Sequence, residues 1–415
     1  MSITTVERLN PFVHEFISNP YPVYRYYREV DPVHWGVSSN PQLEGAWYIF
    51  GYDDVMKVME DRRFGREFVQ REDAETTPVP TAYNTFLSMV SKWIVFREPP
   101  NHTRLKSLVT KAFTAKVVEN LRPVVYSIAD GLLDAVYDSG EMDLVENYAF
   151  PLPIMVIAIM LGADPNDRDL FRKWALALQH ASASRIKPPE EVYERAEQAS
   201  KEFIEYFVPI IADRRANPRE DLISNLVKAA DQGDKLTDEE IVATCTHLLT
   251  AGHETTVNLI AKGTLALLRN PEAYTLLRSH PEFTPAAIEE ILRYDTPIQM
   301  ITRWAYADME LGGKSIKRGD SVGLMLGSAN RDPAHFKNPE VFDIQRQDNK
   351  HSSFGGGIHY CLGSTLARAE GQIALNVLLN RLPELRLVNE TVDWANNIIF
   401  HGPNNLPVAF RRSVK

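Results

Sequence analysis

The sequence predicts a mainly α-helical protein with small peripheral β-sheets, on three observations. Apolar residues recur at helical spacing over residues 117–138, 198–214 and 237–269. Strand-like runs are short and lie near the two ends of the chain, at Ala46 to Phe50, Leu385 to Val388, Ile398 to Phe400 and Val408 to Phe410. Strands and helices do not alternate, so a doubly wound nucleotide-binding sheet is not expected.

Nothing in the sequence divides the chain. Its 415 residues hold no evident internal repeat and no long Gly/Ser linker, so 1–415 reads as one domain. Residues 71–83 and 184–191 are polar and proline-bearing and read as surface loops, of a length common in lids and binding loops. With 44% hydrophobic and 24% charged residues, the chain can fill a sizeable core and is not wholly disordered. A net charge of -10 is the wrong balance for a protein whose main partner is nucleic acid. Two cysteines, Cys245 and Cys361, argue against a disulfide framework and for a reducing, cytoplasmic setting. The opening MSITTVERLNPFVHEF lacks the apolar core of a signal peptide. The longest apolar stretch, Pro153 to Ala163, falls short of the roughly 20 residues that span a bilayer, so no membrane span is expected.

The best-marked helix runs from Thr237 to Asn270. Thr237 and Glu240 form a capping box, Leu236 and Ile241 a hydrophobic staple, and Asn270-Pro271 a stop. Such a helix is on the order of 50 Å long and crosses a whole domain. Its centre, Ala251-Gly252-His253-Glu254-Thr255-Thr256, suits a buried helix poorly. Gly252 costs roughly 1 kcal/mol relative to alanine. Thr255 can bond back to the Ala251 carbonyl and loosen the ladder. The small Ala251-Gly252 pair would let another group approach the backbone. A helix that merely turns a polar face to water is the competing reading; Leu248, Leu249, Val257, Leu259 and Ile260 speak against full exposure.

A second concentration of signal is Phe354-Gly-Gly-Gly-Ile-His-Tyr-Cys361-Leu-Gly363, with a helix following from about Ser364. Glycines allow unusual backbone angles and close approach to a ligand. Cys361 sits just before a helix, where free N–H groups favour the thiolate that a soft metal centre needs. Cys245 has no such setting and reads as an inert buried hydrophobe. Zinc lacks ligands here, since no CxxC pair occurs. The glycine spacing is not GxGxxG, and no βαβ context precedes it, which rejects a dinucleotide loop. The triglycine run gives a cysteine protease no support.

The segment Phe354-Gly355-x-Gly357-x-His359-x-Cys361-x-Gly363 resembles the haem-binding signature of the cytochrome P450 family at every defining position. Ala251-Gly252-x-Glu254-Thr255-Thr256 resembles the family's oxygen-activation motif, and Glu290-Ile291-Leu292-Arg293 its ExxR motif. Softer matches are Asn19-Pro20-Tyr21-Pro22, Glu98 to Lys106, Ala329 to Pro333 and Asn338 to Phe342. The order is right and covers nearly the whole chain. The resemblance is to the soluble bacterial branch, near hydroxylases of polyketides and other secondary metabolites.

The resemblance implies the cytochrome P450 fold, with haem b between the long central helix and the Cys-loop helix. Cys361 would be the iron ligand, with Phe354, Gly355, Gly357 and Gly363 shaping its loop and Ala251 and Gly252 facing the cofactor. His102, Lys106, Arg303 and His359 would hold the propionates. Lys106 departs from the arginine many relatives carry and offers no planar fork. Glu254 and Thr255 would deliver protons; His253 is left out of the mechanism. Glu290 and Arg293 would form a structural ion pair, and the rest of the helix after Cys361 reads as core. Substrate contacts are expected from 71–95, 178–187, Thr244 to Ala251, Ile298 to Met300 and Ile398-Ile399, which suits a lipophilic small molecule. The implied activity is a monooxygenase that uses O2 and takes electrons from a ferredoxin or flavodoxin with its NAD(P)H reductase. The donor would dock on a basic patch of Lys106, Lys111, Arg346, Lys350 and Arg368. The rival readings are a peroxide-driven haem-thiolate peroxygenase and a haem-binding carrier or sensor without turnover.

Overall fold

The structure, a computed structural model, describes residues 8–40, 43–68, 81–183, 190–230 and 236–412. The central helix spans Asp238–Arg269, with the Thr237–Glu240 capping box formed in both directions. It packs against the helices Pro151–Leu161, Arg168–Ala183, Glu190–Ala216, Thr284–Tyr294 and Ser364–Arg381. This contact on nearly every side explains its mixed sequence: few of its faces meet water, so polar residues must find partners within the fold. Threonine hydroxyls at 244, 246, 250, 256 and 264 do so by bonding back to the carbonyl four residues earlier. Thr255 does the same to Ala251 at 2.9 Å, yet the helix runs unbroken through 251–256. The expected loosening is therefore absent. Pro151–Leu161, the core of the longest apolar stretch, is an interior helix buried on almost all sides. Among the described residues no helix is long and apolar enough to cross a membrane.

The strands are β1 (Val33–Gly36), β2 (Ala46–Ile49), β3 (Phe64–Gly65), β4 (Glu141–Asp143), β5 (Met300–Ala305), β6 (Met309–Leu311), β7 (Lys314–Ile316), β8 (Ser321–Met325), β9 (Arg386–Leu387) and β10 (Pro407–Ala409). The main sheet has the order β1-β2-β8-β5-β3, with β2 and β8 parallel and the other pairs antiparallel. A second sheet runs β4-β10-β9, and β6 pairs with β7. Two expectations change. Strands are not confined to the chain ends, since β5 and β8 lie at 300–325. They escaped notice because β8 is buried at every position and shows no alternation. Ile398 to Phe400 forms no strand but a single bridge, Phe400 to Ile298. The loops at 71–83 and 184–191 fall largely outside the described residues; within them, Thr81–Tyr83 forms a short 3-10 turn and Glu190 begins a helix.

Glu290 and Arg293 fix the approach to the cysteine loop. Both are fully buried, and the guanidinium donates to both carboxylate oxygens at 2.8 Å. Its remaining N–H groups reach the carbonyls of Asn330, Pro339 and Val341. Glu290 also accepts from the Asp343 N–H, Arg346 and Asn349. One ion pair thus pins the chain between 330 and 349 to the helix Thr284–Tyr294.

Candidate active site

A cavity of about 380 Å³ lies beside the central helix, of a size usual for small-molecule sites. Its wall brings together Cys361, Phe354, Gly355 and Gly363 from the cysteine loop with Ala251, Gly252 and Thr255 from the helix centre. His102, Lys106, Arg303 and His359 line the same space. Residues more than 250 positions apart in sequence therefore meet where the motifs require. Two predicted residues stand elsewhere. Glu254 is not part of the cavity wall; one carboxylate oxygen is sealed without a partner. Gly357 points its bare face at the backbone of Met59 and adopts φ 60°, so it serves the turn and not the cavity.

The cysteine loop is closed by the Cys361 N–H donating to the Phe354 carbonyl at 2.9 Å. Gly355 takes φ 70°, a left-handed angle that favours glycine. Desolvation by the surrounding protein pushes the Cys361 thiol up, although its surface is exposed on the cavity wall. The N–H groups of Gly363 and Ser364, at the start of the following helix, act the other way, as do Lys106 and Arg368. The helix start thus supports the thiolate, as expected, but does not outweigh desolvation; a metal that binds the sulfur takes the proton's place outright. Arg368 lies over the Phe354 ring at 4.3 Å, on the loop's flank.

Burial lowers both imidazoles of the polar rim. His102 is lowered to about 4 by burial, with His359 and Lys106 adding repulsion. His359 is also lowered by burial, although its Nε2 lies 3.0 Å from the Glu98 carboxylate. The two rings sit 4.6 Å apart. Arg303 donates to the Thr302 carbonyl at 3.0 Å from β5. Lys106 Nζ donates to the carbonyls of Ile358 (2.5 Å) and Tyr360 (3.0 Å). Its ammonium therefore braces the cysteine loop in this structure.

On the distal wall, Gly252 packs against the neighbouring helix: an added Cβ would lie 2.5 Å from Ile157 Cδ1. Ala251 and Gly252 both line the cavity. Burial raises the Glu254 carboxyl to about 7, with Gln179 pulling slightly the other way. Among the expected substrate contacts, Trp93, Ile94, Gln179, His247, Ile298 and Ile399 line the cavity. Gln299 does not; its amide bonds to Tyr21, Asp295 and the Thr296 carbonyl. Ile398 and Thr244 are also away from it. Residues 71–80 and 184–187 lie outside the described residues. Among the wall residues that the sequence did not single out is an acid, Glu370, from the helix read as pure core. It is buried, its carboxyl is pushed well up by burial, and it lies 3.5 Å from Thr256 Oγ1. A lone acid beside Gly371 inside an apolar helix was the available signal.

This donor set fits an iron porphyrin. It offers one thiol, a small-residue helix turn, and imidazole, guanidinium and ammonium groups suited to two carboxylates. The bare face of Gly363 opens onto free space, with no atom within 4 Å of an added Cβ. Comparison with known proteins agrees: the cytochrome P450 family model matches residues 43–383. The chain belongs to the cytochrome P450 family. This P450 is 39% identical over 407 residues to the polyketide biosynthesis cytochrome P450 PksS of Bacillus subtilis, covering 97% of this chain and 98% of that one. It is 38% identical to the cytochrome P450 monooxygenase PikC of Streptomyces venezuelae, over 96% of this chain and 92% of PikC. The solved structure of P450BioI in complex with hexadec-9Z-enoic acid ligated acyl carrier protein superposes with a TM-score of 0.87 at 38% identity, covering 95% and 99% of the two chains. Membership makes the protein an oxidoreductase of the monooxygenase type and implies a haem cofactor.

Proposed function

We propose that this P450 holds haem b on Cys361 and inserts one oxygen atom of O2 into a lipophilic small molecule, reducing the other to water. The observation that carries the reading is the convergence of Cys361, Ala251 and Thr255 on one largely apolar cavity, with Glu254 one residue from Thr255. Bound there, the haem would supply oxygen activation, helped by the electron density a thiolate donates.

The chain's own groups divide the remaining work. The N–H groups of Gly363 and Ser364 stabilise negative charge on the Cys361 sulfur. His102, Arg303 and His359 would hold the haem carboxylates, with Lys106 joining them only if it leaves its loop carbonyls. Thr255 commits its own proton to the Ala251 carbonyl, so its oxygen accepts a hydrogen bond from the cavity. Glu254, poised near neutrality, can both release and recover a proton at working pH. Leu248, Ile298, Met300 and Ile399 supply apolar wall for a fatty-acyl, terpenoid or polyketide-like substrate. The acyl and polyketide associations of PksS and P450BioI support that class.

Electrons would come from a ferredoxin or flavodoxin with its NAD(P)H reductase, docking on the cysteine side. The proposed basic patch is narrower than the sequence suggested. Arg346 is held by Glu290, Arg368 by Glu289 in a paired contact, and Lys106 by the loop. The reading is tested by the carbon monoxide difference spectrum of the reduced protein. A strongly red-shifted Soret band is expected, and haem absorption without that shift removes Cys361 as the ligand. Product from peroxide alone, with none from a reductase system, would replace the monooxygenase by a peroxygenase. No product from any ligand that shifts the haem spectrum would favour a carrier.

A further inference from the structure

The cavity wall carries polar side chains that the family motifs do not require, and His247 is the one held by an aromatic stack. His247 stands four residues, or roughly 6 Å, before Ala251 on the central helix and lines the cavity. Its ring stacks on Trp93, with centroids 5.3 Å apart and planes 19° from parallel. The stack fixes the ring plane. Nδ1 is sealed from solvent and has no partner. Nε2 also has no partner but is not sealed, so it is the ring nitrogen that the cavity reaches. Burial lowers the ring to about 4, and the neighbouring Arg66 adds repulsion. It is therefore neutral and carries a single proton.

The surroundings decide where that proton sits. Trp93 Nε1 can only donate, and it too is sealed without a partner. A proton on Nδ1 would place a second orphaned N–H in the same stack. A sealed N–H is a rarer and costlier defect than an unused lone pair. The proton belongs on Nε2, pointing to the space the substrate fills.

We propose that His247 is a specificity-determining residue whose Nε2–H selects lipophilic substrates carrying a hydrogen-bond acceptor, a carbonyl or hydroxyl oxygen, one helical turn from Ala251. The inference rests on the monooxygenase reading only in calling the occupant a substrate. The acceptor preference is a binding property and is read without turnover.

The test uses the haem-loaded enzyme and two probes of equal length, tetradecan-2-one and tetradecane, titrated by their shift of the haem spectrum. His247→Phe keeps the aromatic stack and deletes the donor; His247→Gln restores an N–H. Expressing each affinity as a ketone-to-alkane ratio cancels general effects of the substitution. The ratio is expected to fall about tenfold in His247→Phe, the size of one net hydrogen bond, and to recover in His247→Gln. A ratio unchanged in His247→Phe overturns the proposal. So does a 15N spectrum of the carbonmonoxy form that shows His247 protonated at Nδ1. If the red-shifted carbon monoxide band is present while the ratio stays flat, the family reading stands and this inference falls. If the band lacks its shift while the ratio falls as expected, the reverse holds.

Discussion

Glu254 keeps one carboxylate oxygen sealed from solvent, and two consequences follow at the scale of that residue. Burial holds its proton to about pH 7 in the folded protein, against an ordinary value near 4.5. Between those values the unfolded chain has released the proton and the folded chain has not. Ionisation therefore costs stability as pH rises through the window, and below it the cost is absent. Glu254→Gln removes the cost. It should raise the unfolding free energy at pH 8 by on the order of 2 kcal/mol and leave it unchanged at pH 4. Denaturant titration at the two pH values checks this, and an equal effect at both would place the carboxyl in ordinary solvent. The adjacent hydroxyl gives a kinetic counterpart. Thr255→Ala loses the oxygen that accepts from the cavity while its neighbours keep their places. Reduction of the protein should proceed at the wild-type rate, while product per electron falls severalfold and hydrogen peroxide appears. Wild-type coupling in that variant would remove Thr255 from proton delivery.

At the scale of elements, the central helix shows why some features were readable and others not. Its start was legible because capping is local: Thr237 and Glu240 satisfy each other's backbone across one turn. The same Glu240 also receives Arg104 from the helix Asn101–Ala112, at 2.5 Å. Thr237→Ala should cost about 1 kcal/mol, as caps generally do. Glu240→Ala should cost more, because it breaks the box and also removes the ion pair with Arg104. Urea midpoints compare the two, and equal costs would mean that the link to Arg104 adds nothing. The cysteine loop was legible for a similar reason, since its glycines and its cysteine are contiguous. The sheet through 300–325 was not. β8 is buried on both faces, so no alternation marks it. Gln179, Glu370 and the His247–Trp93 stack owe their roles to neighbours far along the chain, which only the fold supplies. Gly252 was noticed as a small residue and does line the cavity, but its tightest constraint is Ile157, which an added Cβ would meet.

At the scale of the whole molecule, one buried cluster ties distant parts of the chain together. Lys262 of the central helix, with its side chain fully enclosed, contacts Asp295 at 2.7 Å, the Thr296 carbonyl at 2.8 Å and His401 Nδ1 at 2.9 Å. Asp295 accepts from Tyr21 near the N-terminus, and His401 Nε2 meets the Ile17 carbonyl at 2.9 Å. With Lys262 donating to Nδ1 and Ile17 accepting from Nε2, the ring must be neutral, and the cluster works in that state alone. Burial lowers His401 to about 4, with Lys262 adding repulsion against the opposing effects of Asp295 and the Ile17 carbonyl. In the unfolded chain the ring takes a proton near pH 6.5. From there down to about 4 the unfolded state binds a proton that the folded state refuses, so stability is complete above pH 6.5 and falls with acidification. The lever is on the order of 3 kcal/mol for this one residue. His401→Gln can still accept from Lys262 and donate to Ile17, but it cannot titrate. It should therefore flatten the loss of stability between pH 6.5 and 4.5 by close to one proton's slope, about 1.4 kcal/mol per pH unit. Urea midpoints measured every half unit give that slope directly. Parallel curves for wild type and variant would show that the ring gains its proton in the fold and that the cluster tolerates a second buried cation beside Lys262.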